Sequence, residues 1–394
     1  MRIGFLGNTN NYPFMLARAF RKMGHDVTFI VHRRERLHRP EFRYPDIPYP
    51  YPSWVREIPF ADEAQFVGRA HAMREALGLL RRCDVVVLNE LGVGLGPRIG
   101  RPYLALLTGS DLTYYCDPRA GEQALAAMTT RNPLKRLRGR WIWGQLLRTQ
   151  RQGVRDATLV WHFARGLVPE GDAILDALGV QDARRVFCLM AGTSDLPPAP
   201  APHNTPLRLF CATRLTWRRP PGGQHSPLDF KGSDIMIRGL AVYGQRGGGP
   251  LDVHLVRKGK DVAETIALVE SLGLGASITW HGEMTQSDVS RQYVLSDVIL
   301  EQFGAGIVGM AGLDAMAVGR PVVANGRPDL FEPLLGEPSP ICQASTPEEV
   351  AGQLQRLHSR ELRIEIGRRS REWVTRHFSA ERAAQTVLRR LVRA

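Results

Sequence analysis

The stretch EQFGAGIVGMAGLDAMAVGRPVVANG, residues 301–326, holds the densest set of residues that could do chemistry. An apolar run ends at Leu300, the glycines Gly304, Gly306 and Gly309 follow, and a helical stretch then carries Asp314 before Gly319 closes it. Glycines just ahead of a helix N-terminus let backbone N–H groups close on a phosphate, and the helix dipole favours its negative charge. The backbone of Gly306, Ile307, Val308 and Gly309 is the candidate for that contact, and a carboxylate at Asp314 could accept two hydrogen bonds from a ribose diol. The same pattern fits glycines that only permit tight packing, with Asp314 on the surface.

The first half of the chain offers less. Gly7 opens a polar loop, residues 7–11, at the carboxyl end of the first apolar run, where open α/β sheets bind their ligands. Asp111, in LTGSDLTYYCD, follows another strand and is either a ligand-facing carboxylate or a helix cap. His162 in LVWHFARG also follows a strand, where a lone histidine is more often structural. Residues 131–155 carry eight basic residues, no acid, and Trp141 and Trp143. Basic residues with Trp at helical spacing suit an anionic membrane surface, and equally a solvated helix with its Trp residues in the core. No recognised nucleic-acid-binding motif accompanies them, so nucleic acid is not expected as a partner.

The 301–326 stretch resembles the nucleotide-binding segment of retaining glycosyltransferases of the GT-B fold, the large fourth sequence family (group 1 glycosyltransferases). The matches are Gly309, Ala315, Met316, Ala317, Gly319, Pro321, Val322 and Val323. Asp314 stands at the Glu that grips the ribose in the family, and Gly306 stands at the Glu that contacts the donor sugar. The resemblance also implies a diphosphate clamp from Arg214, after the strand LFCAT, and Lys231, before Gly232. Cations belong there because the leaving nucleoside diphosphate develops charge as the glycosidic bond breaks. The insert 216–230 separates the two more widely than in the family, and reads as a flap over the diphosphate or as a surface loop. By the same resemblance Arg257, with Lys258, adds charge near the phosphates, Glu283 and Met284 lie where backbone meets the nucleobase, and Asp111 faces the acceptor.

These residues need a scaffold that brings strand ends together. The opening residues read strand, Gly-Asn loop, helix, strand, the βαβ start of a doubly wound sheet. Buried parallel strands, which read as continuous apolar runs, are predicted at 2–6, 27–31, 84–88, 103–107, 158–161 and 186–190. Residues 40–59, crowded with Pro and Tyr, are predicted as loop. After the proline-rich segment 197–206 the pattern restarts, with strands at 207–212, 252–256, 277–280, 297–300, 321–324 and 340–342 and helices between them. The expectation is α/β: two Rossmann-like domains facing across a cleft, 1–200 for the acceptor and 201–375 for the nucleotide sugar. Helix 376–394 crosses back to complete the first.

Composition bounds the partners. With 394 residues, 43% hydrophobic and 23% charged, the chain is globular rather than disordered. No eighteen-residue apolar run occurs, the N-terminus does not read as a signal peptide, and the five cysteines form no CxxC pair. The expected location is cytoplasmic, with a peripheral place on the cytoplasmic face of the membrane as the variant. The net charge of +13 rests almost wholly on arginine, since only five of the 52 basic residues are lysine. The functional expectation is a retaining glycosyltransferase with a nucleoside-diphosphate sugar as co-substrate and no other cofactor. No metal is expected, because Arg214 and Lys231 supply the positive charge. The acceptor would be a glycan, a lipid-linked glycan or a small molecule. A GT-B-like epimerase or phosphorylase, or a non-catalytic nucleotide-sugar-binding protein, is the alternative.

Overall fold

The structure, a computed structural model, describes residues 1–32, 36–58, 66–67, 71–126, 132–187, 189–218, 230–304 and 308–391. The chain divides into two compact units, Met1–Leu189 with Glu381–Ala394, and Met190–Ala380.

In the first unit β1 (Arg2–Leu6), β2 (Asp26–Val31), β3 (Val55–Glu57), β4 (Val85–Leu88), β5 (Tyr103–Leu106), β6 (Leu159–Trp161) and β7 (Arg185–Val186) form one sheet. Their order is β3-β2-β1-β4-β5-β6-β7, and every pairing is parallel. The run VVVL of β4 is buried at each position, as expected of a strand covered by helices on both faces. Phe5 stacks on Phe29 at 5.5 Å, which fixes the β1–β2 register at the level where the two pair. The chain moves outward from β1 to β2 and β3, then returns to pair β4 on the other side of β1. The carboxyl ends of β1 and β4 therefore flank the switch point of the sheet, where open α/β sheets bind their ligands.

Two local departures have physical reasons. The 40–59 stretch predicted as loop contains the edge strand β3, whose three residues pair only with β2. An edge strand tolerates nearby prolines because one side makes no ladder. Of the strand predicted at 186–190 only Val186 pairs, in a strand that begins one residue earlier at Arg185, because the chain passes there into the second unit.

The second unit repeats the design with β8 (Leu207–Cys211), β9 (Leu251–Val256), β10 (Ile278–His281), β11 (Val298–Leu300), β12 (Val322–Ala324) and β13 (Cys342–Gln343). The order is β10-β9-β8-β11-β12-β13, again parallel throughout, so its switch point lies between β8 and β11. The proline-rich segment is fastened to this unit by Arg320. That side chain is 1% exposed and donates to Ala199 O (3.1 Å), Pro200 O (2.8 Å), Tyr293 O (2.9 Å) and Val294 O (3.1 Å). Burial pushes its guanidinium down to about 10, and five carbonyls, with Gly319 O at 3.3 Å the fifth, share a charge held away from water. The last helix, Ala380–Leu391, lies with the first unit from Glu381 on. Among the described residues no helix is long and apolar enough to cross a membrane.

Candidate functional site

At the switch point of the second unit the segment before helix Ser233–Gln245 is sewn to the end of β11. The carbonyl of Lys231 accepts from Phe303 N (2.8 Å) and Gly304 N (3.1 Å). Gly232 makes that contact possible, because its φ is +67° and a Cβ there would lie 2.6 Å from Gly304 N. The fixed backbone delivers Lys231 Nζ to Gln302 Oε1 at 2.8 Å. Beside it, Glu301 leaves β11 and turns its carboxylate inward, 5% exposed. Gly309 N donates to Glu301 Oε2 (3.3 Å) and Thr213 Oγ1 to Oε1 (3.4 Å). Burial raises this carboxyl above its usual range, and the Lys231 ammonium is the largest opposing influence. Gly309 is also the residue from which helix Met310–Val318 starts. A cation and two helix N-termini thus gather at the ends of β8 and β11, an arrangement that attracts anions.

Lys231 and Gly309 are therefore brought together, around Glu301 and Gln302, which the motif reading did not select. Gly306 and Ile307 lie outside the described residues, as does most of the 216–230 insert, while Val308 is buried just before Gly309. Arg214 is exposed beyond the end of β8. The next residue, Leu215, donates its N–H to Lys258 O at 2.7 Å, and Lys258 Nζ pairs with Glu283 at 2.6 Å. That pairing holds the Glu283 carboxyl below its usual range. The Arg257 guanidinium lies 5.9 Å over the Trp280 ring. Glu283 and Met284 line an open depression of about 450 Å³ with His281, Arg291 and Gln292. Asp314, 7% exposed in the body of its helix, accepts the Gly192 N–H at Oδ1, 3.1 Å.

The first unit builds a different cluster at its own switch point. Gly7, with φ +97°, passes so close to the β4 end that a Cβ would lie 2.4 Å from Asn89 O. Thr9 then donates its N–H to Asn89 Oδ1 (2.9 Å) and its hydroxyl to Glu90 Oε1 (2.9 Å). Glu90 is buried in a left-handed conformation, φ +55°, with His32 Nε2 3.6 Å from its other oxygen. Asp111 is 2% exposed and accepts from Thr108 N, Gly109 N, Thr108 Oγ1 and Asn89 Nδ2 at 2.9–3.1 Å. In this arrangement it ties the β5 turn to the β4 end. Burial raises its carboxyl to about 6 against those donors. His162, 3% exposed, has no hydrogen-bond partner at either ring nitrogen among the described residues, and burial pushes it down to about 4, so it is a neutral packing residue.

Helix Pro133–Asp156 braces that cluster from outside. Gln150 Nε2 donates to Glu90 O (2.9 Å) and Asp111 O (3.1 Å), and its Oε1 accepts from Gly94 N (3.1 Å). Its two tryptophans separate, for Trp143 packs inward with its ring centroid 5.0 Å from that of Tyr114, while Trp141 stays 58% exposed. The neighbouring-strand signal that would have found Glu90 and Glu301 is the same in both cases: an acid one or two residues beyond a buried strand at a switch point. Among the described residues no group of three or more His, Cys, Asp or Glu side chains could hold a metal ion.

The two sheets and their order define the class of protein: the fold is GT-B, two Rossmann-like domains in one chain. Solved structures share it over the whole length. HepE from Anabaena, crystallised with UDP and glucose, superposes with a TM-score of 0.61 over 100% of both chains at 13% identity. Sucrose-phosphate synthase from Thermosynechococcus elongatus gives 0.57 over 99% of this chain and 98% of its own, at 16% identity. WaaB, a lipopolysaccharide outer core galactosyltransferase, gives 0.53 over 100% and 99%, at 14% identity. No protein-family model matches the sequence, and no curated protein matches it.

Proposed function

We propose that the chain is a glycosyltransferase that moves a sugar from a nucleoside-diphosphate sugar to an acceptor hydroxyl. The observation that carries this is the convergence of Lys231 and two helix N-termini on the switch point between β8 and β11. In the reaction the bond from the anomeric carbon to the diphosphate oxygen breaks and a bond to the acceptor oxygen forms. The acceptor proton ends on the departing diphosphate. Charge grows on that leaving group, and a preorganised ammonium with helix-terminal amides stabilises it more in the transition state than in the ground state. Arg214 adds a second cation at the same edge, so the positive charge for departure comes from side chains. Asp314 holds the ribose, the backbone at Glu283 and Met284 meets the base, and the turn 306–309 lies along the phosphates. The acceptor hydroxyl belongs to the first unit, and the sugar is delivered with retention.

The neighbours support this reading by what their names carry: UDP with glucose for HepE, and galactosyl transfer for WaaB. A thermal-shift panel of nucleoside diphosphates and nucleotide sugars tests it, comparing the wild type with Asp314→Ala. Stabilisation by at least one nucleotide, reduced in the variant, is expected, with nucleoside diphosphate released only when an acceptor is added and in the presence of a chelator. Turnover of donor without acceptor points to the epimerase or phosphorylase alternative, and no stabilisation by any nucleotide ends the donor-site assignment.

A further inference from the structure

The basic helix of the first unit leaves a surface that sugar transfer does not use. Its start is well defined: Asn132 Oδ1 accepts from Leu134 N (2.9 Å) and Lys135 N (3.3 Å), and Pro133 opens the first turn. Yet the two turns that follow are exposed at every residue from Asn132 to Arg138. Within them Leu134 is 75% exposed, Leu137 66% and, one turn on, Trp141 58%. At about 100° per residue these three fall within about 60° of one another, with Arg138 on one side of the stripe and Arg140 on the other. The inward face of the same helix, Leu146, Gln150, Gly153 and Val154, lies roughly opposite. The stripe therefore points away from the core it is anchored in.

We propose that this helix end docks on an anionic lipid surface. Trp and Leu enter the acyl boundary, while Lys135, Arg136, Arg138 and Arg140 lie at the headgroups, the long arginine stems reaching past the apolar stripe. Charge selects this occupant. No acid occurs from 132 to 155, and the first helical turn holds none. Cations near a helix N-terminus oppose its dipole, a cost that an anionic surface offsets. A second copy of the chain is a poor occupant, since it would set these arginines against each other, and the apolar repeat stops at Trp141, with Gly144 and Arg148 next in register. A nucleic acid would leave the apolar stripe unused. Because Gln150 of the same helix holds the loops of Glu90 and Asp111, docking would set those loops at a fixed height over the bilayer. The inference does not rest on the transferase reading, since vesicle binding needs no donor.

The test is co-sedimentation of the full-length protein with vesicles of phosphatidylcholine alone or mixed equally with phosphatidylglycerol. Binding to the anionic vesicles only, weakened by salt, is expected. The paired variants Leu137→Ser with Trp141→Ser, and Arg138→Ser with Arg140→Ser, should each lower partitioning by about tenfold or more. All four positions are solvent-facing, and an unchanged circular dichroism spectrum and melting temperature control for folding. No binding of the wild type to anionic vesicles overturns the inference. So does full binding by the Leu137→Ser, Trp141→Ser protein. Capture of single-stranded RNA that only the arginine pair of variants abolishes, without vesicle binding, also overturns it in favour of a nucleic-acid surface.

Discussion

Removing Lys231 should expose how the second unit balances its charges. Its ammonium is 2.8 Å from Gln302 Oε1 and opposes the burial that raises the Glu301 carboxyl, which in turn receives the Gly309 N–H. A hydrogen bond to a charged group contributes about 1.5–3 kcal/mol, so Lys231→Met should weaken nucleoside-diphosphate binding by about 10- to 150-fold. Part of the Lys231 charge is spent on Glu301 in the wild type. In a Glu301→Gln background that share is released to the ligand, so losing Lys231 there should cost more than in the wild type. Groups in one network typically couple by about 0.5–3 kcal/mol, which is the size of the excess to look for. Isothermal titration of UDP and GDP into the four proteins of this double-mutant cycle measures both quantities. The reasoning fails if Lys231→Met binds within about twofold of the wild type, or if the two substitutions add within about 0.5 kcal/mol.

Two further outcomes concern the first unit. Asp111 has a folded-state value of about 6 against 3.8 for the ordinary group, raised by burial, so the folded state holds its proton more tightly than the unfolded state. Its contribution is then fully present below about 4 and lost as pH rises through about 6, an effect of up to about 3 kcal/mol. Asp111→Asn should flatten the fall in melting temperature between those limits, and an unchanged profile would remove Asp111 as its source. Gln150→Leu keeps the side-chain volume but leaves Glu90 O, Asp111 O and Gly94 N without that partner. It should destabilise the protein by about 3 kcal/mol in urea unfolding, and a loss under about 1 kcal/mol would show that water replaces the amide.

The sheets were readable because their strands are covered on both faces. Runs such as VVVL at β4 have no alternation to hide them, and their order along the chain already implies parallel pairing. β3 escaped because three residues at an edge, two of them exposed, carry no apolar run. Lys231 with Gly232 was singled out through the family resemblance, and the structure places it beside Gln302 at the end of β11. Glu301 was not. Motif spacing counts back from Asp314 to Gly306, whereas the structure brings a carboxylate to Gly309 from the strand end, a contact made through space across eight residues. Glu90 was hidden for the same reason, since His32, Thr9 and Gln150 reach it from three other segments.

The two switch points share one geometry and carry opposite chemistry, and this difference bears on the division of labour proposed above. In the second unit, Lys231 and two helix N-termini surround one buried carboxylate, so an incoming diphosphate finds positive charge already placed. In the first unit, the equivalent position holds Thr9, Asn89, Glu90 and Asp111, with His32 behind them. Carboxylates of this kind repel phosphate, while carboxylates and amides alike hydrogen-bond hydroxyls well. Asp111, held near 6 by burial, and Glu90, held by Thr9 in a strained backbone, are costly to keep unless the strand ends they shape are used. A hydroxyl-bearing acceptor at the first unit and an anionic donor at the second is the assignment in which the second unit's cation meets a charge it can stabilise, and the first unit's buried carboxylates shape loops beside a ligand that carries none.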